Sequence, residues 1–284
     1  MKIFTFVADM TDDSNRSKIT RRQAVNTLLF TTGLLASTEA TKVLGQDANT
    51  KSSDILAKSA SCVLTPQDVE GPYYFDPKFL RSDITEGKEG VPLKLLLQVI
   101  DTKGCTPIPK ARVDVWHCDS VGLYSGYEGQ GDDQAVSTTG KTFLRGTQMT
   151  DTLGQVIFTT IYPGWYPGRT PHIHLKVFLD QQTVLIGQLY FIDAISEYIY
   201  KNVAPYNTRT LERDTVNTTD ISLRNGNGRD SFFNIKEEAD YYLASIIIGV
   251  DRNATPTGEV PAGANLLRET KPTTPLVPSV ANTQ

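Results

Sequence analysis

Along the middle of the chain, apolar and polar residues alternate in short runs. In PLKLLLQVID, Leu93, Leu95, Leu97 and Val99 share one face, and in ARVDVWHCD Ala111, Val113 and Val115 do. QVIFTTI and TVLIGQLYF keep the same period of two. So does HIHLKVFL, where His172, His174, Lys176 and Phe178 point one way and Ile173, Leu175, Val177 and Leu179 the other. Alternation over such lengths, broken by Gly, Pro and Asp, predicts short strands joined by turns. The expected class is all-β, a β-sandwich or barrel, with short helices only in connecting loops. One helix is expected around DAISEYIYKNV. YYLASIIIGV, β-branched at its end, is expected to be a closing strand, with a helix as the alternative.

The alternation fails at both ends, which places one domain over residues 62–250. Within SKITRRQAVNTLLFTTGLLAS, the pair Arg21 and Arg22 precedes a weakly apolar run over 24–36, and small residues lead to KVLGQ. Residues 1–45 thus resemble a bacterial twin-arginine export signal with a cut after Gly45, which implies an exported, periplasmic or extracellular protein. Ala24 and Val25 stand where bulky apolar residues are usual, and the long lead carries Asp12 and Asp13; the other reading is a disordered cytosolic arm. The run is too short and Thr-rich to span a bilayer, so no stable membrane insertion is expected. Residues 46–61 read as a linker, and 251–284, rich in Pro, Thr and Ala, as an irregular tail.

Charge removes one class of partner. With 28 basic against 32 acidic residues and no basic stripe interleaved with aromatics, the chain is not built to track nucleic acid. No glycine-rich phosphate loop follows a strand, so nucleotide cofactors lack support. The three cysteines, Cys62, Cys105 and Cys118, have no CxxC spacing. They are either buried thiols or, in an exported protein, one bridge and one thiol left over.

The candidate chemistry lies where the histidines fall. The chain has only three, and His172 and His174 sit at i and i+2 on one strand face, within reach of a common metal ion. HxH alone also occurs in zinc hydrolases, in double-stranded β-helix oxygenases and on ordinary strands. Here it has company. Tyr166 lies in the Pro- and Gly-fixed loop PGWYPGR, and Tyr124 follows a glycine turn in VWHCDSVGLYSGY. Two phenolates and two imidazoles form a hard set that favours Fe(III) over Zn(II), Cu(I) or Fe(II). Ferric ion, two phenolates and one hydroxide sum to zero charge, which a buried pocket accepts.

Several separate motifs then carry a resemblance. TPQDVEGPYYFD, VDVWHCDSVGLYSGY, FLRGTQMTDTLGQVIFTTIYPGWYPGRTPHIHLKV and GQLYF stand in the order and spacing of the intradiol ring-cleavage dioxygenases, the family of the catechol and protocatechuate dioxygenases. The wording is most similar to the exported bacterial branch. The resemblance implies a non-haem Fe(III) held by Tyr124, Tyr166, His172 and His174, with a catecholic substrate and O2 as partners. It implies cleavage between the two hydroxyl-bearing carbons to a muconic acid, with Tyr166 displaced and taking up a proton. Arg169 matches the cation that stabilises charge developing on the ring, and Gln188 the pocket glutamine. The chain lacks the helical N-terminal segment through which the catechol-specific branch dimerises, so a monomer or assembly through the sandwich is expected.

Other readings stay open on the residues alone. His117 is expected to be structural, yet with the HxH pair it would make a three-His zinc or Fe(II) site. A non-catalytic exported β-sandwich that binds sugars or aryl groups is the reading from another class. Cys105 pairs with Cys118 across a hairpin or with Cys62. Tyr73, Tyr74, Asp119 and Leu123 are candidate pocket residues by proximity to the motifs.

Overall fold

A computed structural model describes residues 62–256 and Gly258, apart from positions 77, 226 and 227. The expected export signal, the linker and the tail beyond 258 lie outside the described residues. Within them, two sheets stack. One is built from β1 (Pro92–Asp101), β2 (Thr106–Pro107), β5 (Gln155–Ile161), β8 (Asn234–Glu237) and β9 (Tyr242–Val250). The other runs β4 (Arg145–Met149), β3 (Arg112–Trp116), β6 (His172–Leu179), β7 (Gln182–Tyr190), antiparallel throughout. The β-sandwich expectation holds, as does the helix, α1, at Asp193–Asn202. A second short helix, α2, spans Ile221–Asn225.

The core forms where the alternation places it. Leu93, Leu95, Leu97 and Val99 of the first sheet and Val113, Val115, Ile173, Leu175 and Val177 of the second are all buried in one cluster. Each such side chain contributes roughly 1.5–3 kcal/mol on leaving water. β1 is interior to its sheet: β9 lies along one edge, while β5 and β2 share the other. The closing strand is confirmed, but it runs parallel to β1, Leu93 opposite Tyr242 and Asp101 opposite Val250. β4 and β8 escape the sequence pattern. β4 reads RGTQM, with Arg145 and Thr147 buried on one face, and β8 is a largely exposed edge.

A strap precedes the first strand. Thr65 donates its N–H to the Gly249 carbonyl and accepts from the Gly249 N–H, and the Asp68 N–H reaches the Ile186 carbonyl on β7. The chain then crosses the outer face of the four-stranded sheet. It leaves along β4, where Arg81 and Thr147 are backbone partners, and β5, where Asp83 bridges Thr159. The strap therefore covers a sheet face that a plain sandwich leaves wet.

The cysteines resolve one alternative. Cys62 at the start of the strap is bonded to Cys105 in the β1–β2 turn, and Cys118 is a buried free thiol whose Sγ lies 3.5 Å from the Gly164 carbonyl. The Cys105–Cys118 pairing is thus corrected: Cys118 points under the 162–165 turn instead of toward the hairpin. Closing a separation of 43 residues removes enough unfolded-chain entropy for about 4 kcal/mol of stability. Reduction, or the pair Cys62→Ser and Cys105→Ser, is expected to lower the unfolding free energy by up to about 4 kcal/mol in denaturant titrations. Unreduced protein in denaturant should show one reactive thiol, and reduced protein three.

Candidate active site

The outer face of the four-stranded sheet carries the chemistry. His174 on β6 lies opposite Trp116 on β3 and Gln188 on β7, and His172 lies opposite Tyr190. Two loops bring the tyrosines over this face. Tyr124 stands in the 117–144 connection, where its N–H donates to the Gln130 side chain and its carbonyl accepts from Thr138 Oγ1. Tyr166 stands on the turn before β6. Gly122 makes their approach possible: its φ is +91°, and a Cβ there would lie 2.3 Å from the Trp165 carbonyl oxygen. Asp119 braces the same loop, accepting the N–H groups of Val121 and Leu123 and pairing with Lys88 at 2.7 Å.

Four donor atoms converge. Tyr166 Oη is 3.0 Å from His172 Nε2, which is 3.1 Å from His174 Nε2 and 3.5 Å from Tyr124 Oη; His174 Nε2 to Tyr124 Oη is 3.2 Å. Donors bound to one ion at about 2.0–2.2 Å lie roughly 3–3.5 Å apart, so this set fits a single small cation. His172 Nδ1 donates to the Thr170 carbonyl at 2.7 Å, which leaves the Nε2 lone pair facing the cluster. His174 is held by its ring, stacked on Trp116 at 4.9 Å and 8°, and Tyr124 is stacked on Tyr73 at 4.6 Å. Among the described residues, the buried side-chain polar atoms without a hydrogen-bond partner are Trp116 Nε1 and His174 Nδ1, both in that stacked pair.

Burial sets the charge state of the donors. It lowers His172 and His174 well below the usual histidine range and raises Tyr124 well above the usual phenol range. It pushes Tyr166 up to about 12 against the pull of the nearby Arg169 cation. Without a cation all four are neutral; a multivalent ion would reverse the balance for the phenols. The donor set therefore fits the ferric ion that its hardness suggests.

Arg169 and Gln188 join the site as one unit. Arg169 Nε donates to Asp220 Oδ2 at 2.9 Å, and its Nη2 donates to Gln188 Oε1. Gln188 Oε1 also accepts from Tyr190 Oη, and its Nε2 donates to the Val69 carbonyl, so its polar atoms hold the arginine and the strap. Burial works against the Arg169 charge, but Tyr166 and Asp220 more than offset it and keep the cation. Asp220, fully buried, also accepts the N–H groups of Thr170 and Leu223. Sequence reading missed it: an Asp before a short polar helix signals a cap, and nothing in spacing ties it to an arginine 51 positions earlier.

The remaining candidates separate. Tyr73 lines a cleft over the donors that is partly open to solvent, bounded also by Tyr166, Pro167 and the 129–132 segment. Tyr74 turns away, donating to Asp114 and packing on Trp116. Leu123 lies near Gly131, against the wall of the cleft. His117 stays outside the cluster, its Nε2 at 2.7 Å from Thr160 Oγ1 and its Nδ1 at 2.8 Å from the Cys118 carbonyl. With both ring nitrogens engaged, the three-His arrangement loses its third ligand.

Comparison with known proteins gives a consistent likeness. The family model described as "Dioxygenase" matches residues 69–236. A catechol 1,2-dioxygenase of Acinetobacter baylyi is 28% identical over 210 residues, covering 66% of this chain and 64% of that protein. A hydroxyquinol 1,2-dioxygenase of Corynebacterium glutamicum is 29% identical over 147 residues, 44% of this chain and 46% of that protein. The match thus spans less than two thirds of these curated relatives. The solved structure of an intradiol ring-cleavage dioxygenase from Tetranychus urticae superposes with a TM-score of 0.64 at 33% identity, covering 69% of this chain and 98% of that one.

Two outcomes are expected of the site as a folded unit. Asp220→Ala strands a largely buried guanidinium and should cost about 3–5 kcal/mol in urea unfolding. Burial also lowers His117 from 6.5 to about 4. The unfolded chain then takes up a proton that native His117 refuses until pH 4, so stability present above pH 6.5 falls by about 3 kcal/mol on acidification to pH 4. In metal-free protein His172 and His174 add in the same sense. Urea midpoints between pH 4 and 7 should show a shallower slope for His117→Gln than for the unsubstituted chain.

Proposed function

The chain belongs to the intradiol ring-cleavage dioxygenase family, and on that premise we propose that it opens catecholic rings between the two hydroxyl-bearing carbons with O2 and Fe(III). The observation that carries the proposal is the meeting of two imidazole nitrogens and two phenol oxygens, each within 3.0–3.5 Å of at least one other, on a buried sheet face. Tyr124, Tyr166, His172 and His174 would hold the iron. When bound, ferric iron would withdraw electron density from a catecholate and open its ring to O2. Both oxygen atoms enter the muconic acid-type product, so the balance requires no external reductant.

The chain's own residues supply the rest. A catechol must shed two protons to bind as a dianion, and Tyr166 Oη, placed at the cleft and beside Arg169, is the atom to receive one. Tyr124 lies deeper under Tyr73 and stays as a fixed anionic donor. Arg169, its geometry set by Asp220 and Gln188, keeps one positive charge where electron density moves onto the ring. Gln188 acts here by orienting Arg169. The near-complete burial of both histidines and Tyr124 excludes bulk water from the donors.

Export belongs to the same proposal. The Arg21–Arg22 pair and the run over 24–36 support it, and the Cys62–Cys105 bridge fits an oxidising compartment.

The test is the visible spectrum and iron content of the purified, iron-reconstituted protein. We expect about one iron per chain and a broad tyrosinate-to-Fe(III) band that shifts on anaerobic addition of catechol and is lost in Tyr124→Phe. Arg169→Gln should keep iron and band while lowering turnover by about 10²–10³-fold. A protein that stays colourless after reconstitution, or that keeps its iron when His172 and His174 are both replaced by Ala, would overturn the proposal.

A further inference from the structure

The cleft above the four donors carries little charge of its own. Among the described residues that line it, Asp132 is the one charged side chain. It is about half exposed and meets the guanidinium of Arg209, which is nearly buried. Arg209 Nη1 also donates to the Trp165 carbonyl, and its carbon lies 3.8 Å from the centre of the Trp165 ring. Asp132 thus caps a cation seated directly beneath the rim.

The other arginines around the site are likewise directed at protein oxygens. Arg145 is buried, and its three nitrogens donate to the Tyr73 carbonyl, Ser125 Oγ and the Ser125 carbonyl. Arg169 is committed to Asp220 and Gln188. A carboxylate carried on a catechol ring would meet the carboxylate of Asp132 at the rim, and would lose hydration without a guanidinium turned toward it. A ring bearing hydrogen, alkyl or another neutral substituent meets Tyr73, Pro167 and glycine backbone without that repulsion.

We infer that the cleft selects catechols without an anionic substituent, and that Asp132 sets this choice by holding Arg209. The inference rests on the intradiol reading above and narrows its substrate class. Removing the Asp132 charge turns the rim from carboxylate to guanidinium and should admit the anion.

The experiment is anaerobic calorimetric titration of the iron-loaded protein with catechol, 4-methylcatechol and 3,4-dihydroxybenzoate. The two neutral ligands should bind at least about tenfold more tightly than the carboxylate, the worth of one charge-assisted hydrogen bond. In Asp132→Asn the ratio of the constants for 3,4-dihydroxybenzoate and catechol should move toward the carboxylate by about tenfold. Adding Arg209→Gln should reverse that shift. Equal binding of neutral and anionic ligands by the unsubstituted protein, which needs no variant to fold, overturns this inference alone. So does an unchanged ratio in folded Asp132→Asn. Failure of all three ligands to bind overturns both this inference and the reading beneath it.

Discussion

A polar sheet face buried under protein needs partners for its charges and lone pairs, and the outer face of the four-stranded sheet supplies them at all but Trp116 Nε1 and His174 Nδ1 among its described side chains. Lys176 there pairs with Glu70 of the strap at 2.7 Å. Asp114 takes bonds from Arg112, Thr147 and Tyr74, and Arg145 is met by the Tyr73 and Ser125 oxygens. Against this background, His172, His174, Tyr124 and Tyr166 stand apart because their polar atoms answer chiefly to one another. A cluster whose members satisfy each other only at the centre is one that a central cation completes.

The two faces of β6 divide the labour between fold and chemistry. Ile173, Leu175 and Val177 fasten the strand into the sandwich core, and this fixes where His172 and His174 point. Because side chains alternate strictly, the imidazoles cannot shift without pulling the core residues with them. The tyrosines come from loops and need other restraints: Gly122 against Trp165, Asp119 under the turn, and the stacking of Tyr73. The site is thus half rigid strand and half braced loop, with the rigid half holding the nitrogens.

This division explains what the sequence made legible. The strands with apolar alternation, the HxH pair and its face, and the helix at Asp193–Asn202 are local features, readable from spacing. The two tyrosines were found by their glycine and proline neighbours together with the motif order. What stayed hidden was long-range. The parallel pairing of β1 with β9, the bond from Arg169 to Asp220 and the partner of Cys105 each join segments more than 40 positions apart, and no period records them. β4 stayed hidden for a different reason, since Arg145 and Thr147 are buried for hydrogen bonding and the run does not alternate in hydropathy.

The strap bears on the order in which the molecule is assembled. Its first backbone anchor, Thr65, is bonded to Gly249, so the segment that emerges earliest among the described residues is fastened in part by the strand that emerges last. Until β9 joins β1, the strap lacks its Thr65 anchor and is held by the Cys62–Cys105 bridge and by the bonds of Asp68 and Arg81 to the four-stranded sheet. The covering over the histidines is fully secured only with the final strand, which makes this a topology of high contact order. A chain still lacking that strand would present the same donors to open water and to any passing metal, and selectivity for one ion would be a property of the finished fold alone.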